Sequence, residues 1–352
     1  MKLILNIGMH KTGTTSIQRT LHNYVGETAA YLDAGHWNHS GVLMTMFMSQ
    51  PETYSAHKKN SRSLEDVDVL KATYFERLYA FCNKHADKDI ISSAEDIGLI
   101  SEDDLRGMKE TLDATFDDYL IVGYVRPPNS LMASAFQQRV AGGVAGSNAA
   151  RLYPNYRSRL EKFDTVFGRK NVLLTRFDRS SLFEGDVVLD FAAKAGIELA
   201  KNDIVTGNTG RSLETTAVAY ALQTRRRNYV AYPGSPNDNR KLMSLLETFG
   251  STKVKLHNEM TQPILDSNKD DLDWVSERLG TEIRDEPSTD EEALTSFDQL
   301  KGIAAGYLPE VSKLLADTAA STPVEDIELV ADTLDLLRRL IKAQRENRNR
   351  AI

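Results

Sequence analysis

Four short apolar runs mark the first half of the chain: residues 2–7 (KLILNI), 89–93 (DIISS), 119–125 (YLIVGYV) and 171–177 (NVLLTRF). None alternates cleanly between apolar and polar positions, which is the pattern of strands covered by helices on both faces. Between them apolar positions recur at helical spacing. Helices are expected at 14–24, 64–85, 102–116, 128–140 and 156–167, with a short apolar one at 42–48. Ser101 precedes the helix at 102–116 as an N-cap, with acids in its first turn. Strand and helix in alternation predict an α/β fold, a parallel sheet with right-handed crossovers. After about residue 200 the pattern changes. Residues 213–228 and 239–249 read as helices, no further strand is evident, and 285–293 (DEPSTDEEA) reads as an acidic linker. A last helix is expected at 323–344, with Ile327, Val330, Leu334, Leu337 and Ile341 forming a seam at steps of three and four. That seam covers only about two heptads, so packing on its own domain is preferred to pairing with a second copy in a homodimer.

Composition narrows the classes. The 352 residues hold 43 Lys and Arg against 50 Asp and Glu, a net charge of −7. That acidic balance argues against a general nucleic-acid binder, which needs a broad basic surface. A single cysteine, Cys82, excludes an internal disulfide framework and a multi-thiolate metal site. No apolar stretch approaches the roughly 18–20 residues of a membrane span. The apolar run at the start is too short for a secretory signal and meets His10 and Lys11 at once. A cytoplasmic setting is the expectation. No His, Asp and Glu cluster has metal-ligand spacing, and no Gly-x-Ser-x-Gly elbow points to a hydrolase.

The most informative segment is Gly8-Met9-His10-Lys11-Thr12-Gly13-Thr14-Thr15. It leaves a strand and opens a helix, the context of a phosphate-binding loop. Glycines let successive N–H groups turn inward, and the helix N-terminus adds partial positive charge. Against the nucleoside-triphosphatase pattern G-x4-G-K-[ST], Gly8, Gly13 and Thr15 fit, but Thr14 stands at the lysine position and the lysine moves back to Lys11. In a triphosphate enzyme that lysine reaches the β- and γ-phosphates and the next hydroxyl holds Mg²⁺. Lys11 sits inside the turn instead, which suits a donor with a short phosphate chain and no metal. An atypical P-loop small-molecule kinase is the rival enzyme. A nucleotide-binding protein without turnover is the rival of another class.

The third strand ends in Val125-Arg126-Pro127-Pro128-Asn129-Ser130, followed by a helix carrying Ser134 and Gln138. Open α/β sheets bind ligands at the carboxyl ends of their strands. Ser130, Ser134 and Gln138 recur every four residues and share one helix face. Arg126 and Ser134 are therefore expected to converge on a phosphate.

At these two motifs the chain resembles the sulfotransferases that use 3′-phosphoadenosine 5′-phosphosulfate (PAPS). Their 5′-phosphosulfate loop looks like Lys11-Thr12-Gly13-Thr14-Thr15, and their 3′-phosphate motif like Arg126…Ser134. The stretch FDTVFGRKNVLLTRFD is similar to one common in that superfamily, so the resemblance covers about residues 1–210. It implies a P-loop-like parallel sheet flanked by helices with a mostly helical C-terminal part. It implies that Lys11 meets the bridging oxygen and that Thr12 to Ser16 hold the 5′-phosphate. His10 lines the same loop by proximity.

A hydroxyl acceptor needs a base. Relatives use His or Glu. The candidates are Glu95, just after the second strand, which equally fits a surface-loop carboxylate, and His39, before the helix at 42–48, for which a hydrogen-bonded structural role is preferred. Arg211, in Asn208-Thr209-Gly210-Arg211-Ser212, partly matches a late loop that closes the 3′-phosphate site in some relatives. The basic run at 225–227 reads as a solvated face. The acceptor, a hydroxyl or an amine on a small molecule or a glycan, would lie among loops at 36–62, 141–155 and 229–240, where Tyr153, Tyr156, Tyr229 and Tyr232 either stack on it or pack a core. The domain plan is a PAPS-binding core at 1–210, helices completing core and acceptor site at 211–284, and linker with C-terminal helices at 285–352.

Overall fold

Strand β1 (Lys2–Asn6) sits at the centre of a five-stranded parallel sheet in this computed structural model. The order is β2 (Ala29–Tyr31), β3 (Asp89–Ser93), β1, β4 (Asp118–Val125) and β5 (Val172–Arg176). The structure describes residues 1–142, 148–207, 210–226 and 236–321, with 332 and 334. β1 is paired on both sides, Ile4 with Ile91 and with Leu120, so its backbone groups are satisfied in the ladder. A parallel sheet puts every strand's carboxyl end on one edge, and that edge carries Gly8, Glu95, Arg126 and Phe177.

Helices flank the sheet: α1 (Thr14–Leu21), α2 (Ser40–Phe47), α3 (Ser55–Lys59), α4 (Leu64–Lys84), α5 (Glu102–Leu112), α6 (Pro128–Ala141), α7 (Tyr156–Phe167) and α8 (Val187–Ala195). Period-two alternation sorts β4 between two layers. Val122 and Tyr124 join Ile17, Leu21, Val188 and Phe191 of α1 and α8 in one core. Tyr119 faces the other way, with its ring on Phe116 and on Phe167 of α7. Ser101 caps α5 as expected, accepting from Asp104 N at 3.0 Å. Beyond the sheet come α9 (Leu213–Arg226), α10 (Pro236–Leu246), α11 (Asn258–Ser267), α12 (Lys269–Leu279), α13 (Gln299–Gly306) and α14 (Leu308–Ser321). No described helix is long and apolar enough to cross a membrane. The chain divides into two compact units, Met1–Lys301 and Gly302–Ile352.

The structure departs from the sequence pattern in places. β2 has only three residues, too few to show a period. The expected helix at 14–24 ends at Leu21 and that at 102–116 at Leu112. Residues 285–293 are not a free linker. The Asp285 carboxylate accepts from Asn129 N and Ser130 N, both at 2.9 Å, and Ala293 is buried. Asp285 thereby caps α6, whose own N-cap, Pro127, has no side-chain acceptor to offer. Asp271 does the same for α7, accepting from Tyr156 N at 2.9 Å and Arg157 N at 2.7 Å. Each such cap contributes about 1 kcal/mol. The helix expected at 323–344, with its dimer seam, lies outside the described residues except for helical positions 332 and 334. Asn208, Thr209, Arg227, Tyr229 and Tyr232 also lie outside them, as do the side chains of Arg225 and Arg226.

Candidate functional site

The loop after β1 is built to leave N–H groups open. Ile7 N and Met9 N still bond to Val122 O and Tyr124 O of β4, at 2.8 and 3.2 Å. The chain then turns through two left-handed residues, Lys11 (φ 65) and Gly13 (φ 77). A Cβ on Gly13 would lie 2.5 Å from Val187 Cγ1, so the turn and the close approach of α8 both demand glycine. Gly13 is also the N-cap of α1, and no side chain caps that helix. The N–H groups of Thr14 and Thr15 open the helix without intrahelical partners. Asn6 braces the turn from below, accepting from Gly8 N at 3.0 Å and donating to Ser93 Oγ at 2.9 Å.

The hydroxyls of the loop divide their tasks. Thr12 is buried and donates to Met9 O at 2.5 Å, so it holds the turn's shape instead of facing a phosphate. Thr14 Oγ1 lies 3.5 Å from Met9 O and also reaches the Glu95 carboxyl. Ser16 Oγ accepts from Gly207 N at 2.7 Å, which draws the 205–207 stretch across the start of α1.

Cations gather on this cradle from three elements. Arg126, at the end of β4, donates from Nη1 to Lys11 O at 2.9 Å and from Nε to Ser130 Oγ at 3.2 Å. Ser130 thus braces the Arg126 side chain, and Ser134 lies half-buried one turn further along α6. Tyr156 OH donates to Arg126 O at 2.6 Å and fixes the turn, so Tyr153 and Tyr156 belong to the core. Arg211 is anchored by Gln137 Nε2, which donates to its carbonyl at 2.9 Å. Although Lys11 is exposed as a residue, its ammonium is partly desolvated by the loop. That desolvation, with repulsion from Arg211 and Arg126 against the pull of Glu95, lowers its pKa. Arg211 Nη2 lies 3.6 Å from Glu247, and the cations together with the open N–H groups make an arrangement of the kind that suits an anion.

Acids line the neighbouring strand end. Glu95 is half-buried, and burial together with Asp96 raises its pKa against the pull of His10, Lys11 and Thr14. Asp96 Oδ1 lies 2.9 Å from His10 Nε2, and Tyr54 OH donates to Asp96 Oδ2. Burial opposes charge on both members. On His10 the Asp96 bond and Glu95 outweigh it and raise the pKa; on Asp96 the bonds from His10 and Tyr54 outweigh it and lower the pKa.

His39 does not join them. It is fully buried, stacked on Tyr31 at 4.8 Å, with Nδ1 2.9 Å from Ser92 Oγ. Burial lowers its pKa to about 3, so the ring stays neutral and supports the fold. The structure therefore brings Lys11, His10, Gly13–Thr15, Glu95, Arg126 and Arg211 to one edge and leaves His39 behind it. Sequence reading missed Asp96 as His10's partner, though it stands beside Glu95. It also missed Tyr54 and Arg159, which no local pattern marks.

No family model matches the chain, and no curated protein matches it. Solved structures to which it is similar include a sulfotransferase from Alicyclobacillus acidocaldarius, at 17% identity over 63% of this chain and 92% of that one, with a TM-score of 0.37. Two others are the sulfotransferase domain of the Synechococcus PCC 7002 olefin synthase, at 14% identity over 69% and 94% with TM-score 0.33, and the sulfotransferase domain from the curacin biosynthetic pathway, at 10% identity over 71% and 98% with TM-score 0.34.

Proposed function

We propose that this protein is a sulfotransferase that moves a sulfuryl group from PAPS to a hydroxyl, with a glycan hydroxyl as first choice, in the cytoplasm. The observation that carries this reading is the bond from Arg126 Nη1 to Lys11 O. It ties the loop after β1 to the turn after β4, so two anion-binding elements act as one cradle. The open N–H groups of Thr14 and Thr15 suit the 5′-phosphate, Lys11 the bridging oxygen, and Arg126 with Ser134 and Arg211 the 3′-phosphate, Ser130 bracing the Arg126 side chain.

Transfer is an in-line displacement. The acceptor oxygen attacks sulfur while the bond from sulfur to the bridging oxygen breaks. The electron pair leaves on the 5′-phosphate of adenosine 3′,5′-bisphosphate. The acceptor's proton passes to the Glu95 carboxylate, whose raised pKa makes it a stronger base near neutral pH. Lys11 meets the negative charge as it develops, a contact already in place before the reaction. The chain's own cations take the charge-neutralising role, and no metal is required.

Calorimetry with adenosine 3′,5′-bisphosphate and 5′-AMP tests the donor. Two charge-assisted contacts to the 3′-phosphate, at roughly 1.5–3 kcal/mol each, predict a preference of about 100-fold or more for the bisphosphate. Equal affinity for the two nucleotides would defeat the reading. Transfer of label from [³⁵S]PAPS to a hydroxyl acceptor completes it.

A further inference from the structure

A cavity of about 450 Å³ opens between residues 98–102 and the start of α7. Its charges do not cancel. Glu161 is taken by Arg157 at 2.8 Å, and Glu102 by Arg106 at 2.6 Å. Lys162 is buried and donates to Gly98 O at 2.7 Å and Ile100 O at 2.5 Å, holding the turn with carbonyls and no carboxylate. That leaves Arg159. Among the described residues its guanidinium makes no hydrogen bond and no ion pair within 4 Å, although it is half-buried. Arg159 lines the cavity, and without direct contact Asp96 of the acid cluster beside the loop attracts it.

A guanidinium partly removed from water that touches no carboxylate among the described residues is unfavourable until an anion meets it. Resting on the sulfotransferase reading, we infer that the cavity receives the acceptor and that Arg159 binds a carboxylate carried by it, so the substrate is a hydroxyl compound bearing an acid group. One unpaired guanidinium matches one negative charge, and its planar fork matches the two oxygens of a carboxylate. Glu95 precedes Gly98 by one short turn, so an acid group on Arg159 directs the acceptor's remaining body toward the proposed base. Arg159 is a specificity residue, and it takes no part in proton or sulfuryl transfer.

The test uses the full chain saturated with adenosine 3′,5′-bisphosphate. Calorimetry measures 4-hydroxyphenylacetate, 3-hydroxybutyrate and glucuronate, each against its methyl ester. At least one acid should bind about 10-fold or more tightly than its ester, the size of one charge-assisted contact. Arg159→Gln should erase that difference, and Arg159→Lys, which keeps charge without the fork, should restore part of it. Bisphosphate affinity should stay within about two-fold in both variants, which a general disturbance of the fold would not allow. If no acid outbinds its ester, or if the preference survives Arg159→Gln, the inference is overturned while the sulfotransferase reading stands. If the unaltered protein fails to bind the bisphosphate, that reading falls and this inference with it.

Discussion

Replacing Arg126 by alanine separates the two halves of the nucleotide cradle. The side chain spends Nη1 on Lys11 O and Nε on Ser130 Oγ, which leaves Nη2 for the proposed 3′-phosphate. Its loss removes a charge-assisted phosphate contact of roughly 1.5–3 kcal/mol and the loop tether besides. Bisphosphate affinity should fall about 100-fold or more, at ~1.4 kcal/mol per decade. The sequence motifs alone treat the 5′ and 3′ contacts as independent, so that 5′-AMP would bind Arg126→Ala unchanged. The tether to Lys11 contradicts that. Without it the left-handed turn at Lys11 loses a restraint, and 5′-AMP should weaken by about 10-fold through the cost of reordering the loop. Tyr156 still holds the Arg126 carbonyl, so the fold survives the change. Arg126→Lys should fall between the two, because a point charge lacks the fork. Calorimetry of both nucleotides on all three proteins is the assay. A bisphosphate preference that persists in Arg126→Ala would refute the assignment, and unchanged 5′-AMP affinity would refute the coupling.

What the sequence showed and what it hid follow from the range of the interactions. β1, β3, β4 and β5 were legible because a strand buried on both faces must be apolar throughout, and that signal is local. β2 was not, since Ala29–Tyr31 is placed by its ladder with β3 and has no pattern of its own. The loop at Gly8–Thr15 was legible because glycine, lysine and threonine between a strand and a helix state a backbone requirement directly. The eight-residue spacing marked Arg126 and Ser134 as phosphate contacts but not the bond from the Arg126 guanidinium to Ser130, four residues on, which braces it. Asp285 was read as linker because a carboxylate among acids and Pro looks solvated. Its partners are 156 and 155 residues away at the start of α6, and no window along the chain contains both. The same holds for Tyr54 and Asp96, 42 residues apart. His39 reads two ways from sequence, as a base or as the structural group it proves to be, because a histidine before an apolar helix looks alike whether it faces a cleft or the Tyr31 ring.

The other perturbations sort the residues by task. Lys11→Ala should lower turnover by at least ~10²-fold, as expected for a fixed electrostatic contact to developing charge; near-normal kcat would remove Lys11 from the mechanism. Glu95→Gln should depress kcat and flatten the acid limb of the pH–rate profile while sparing bisphosphate affinity. His39→Leu should instead lower Tm and leave kcat near its original value, because the ring is sealed in the core, and the reverse pattern would return the base to His39. Asp285→Ala should cost about 1–2 kcal/mol of stability, read by denaturant titration, through the lost cap on α6; an unchanged midpoint would show the cap to be idle. The pair of His10 and Asp96 makes stability itself depend on pH. His10 has a folded pKa raised above 6.5, so its contribution is complete below 6.5 and is lost as pH rises through the folded value. Asp96 has a folded pKa lowered below 3.8, so its contribution is complete above 3.8 and is lost as pH falls through the folded value. Both are therefore in force together from about pH 4 to 6.5 and weaken above it. The pair is partly exposed, which holds its worth to about 1 kcal/mol or less. Comparing the protein with His10→Gln across pH cancels the titration of every distant group. The Tm gap between them should be widest near pH 5 to 6, about 2–4 °C at most, and should narrow toward pH 9. A gap that is constant with pH, or that widens as pH rises, would mean that His10 is neutral throughout and serves Asp96 only as an uncharged donor.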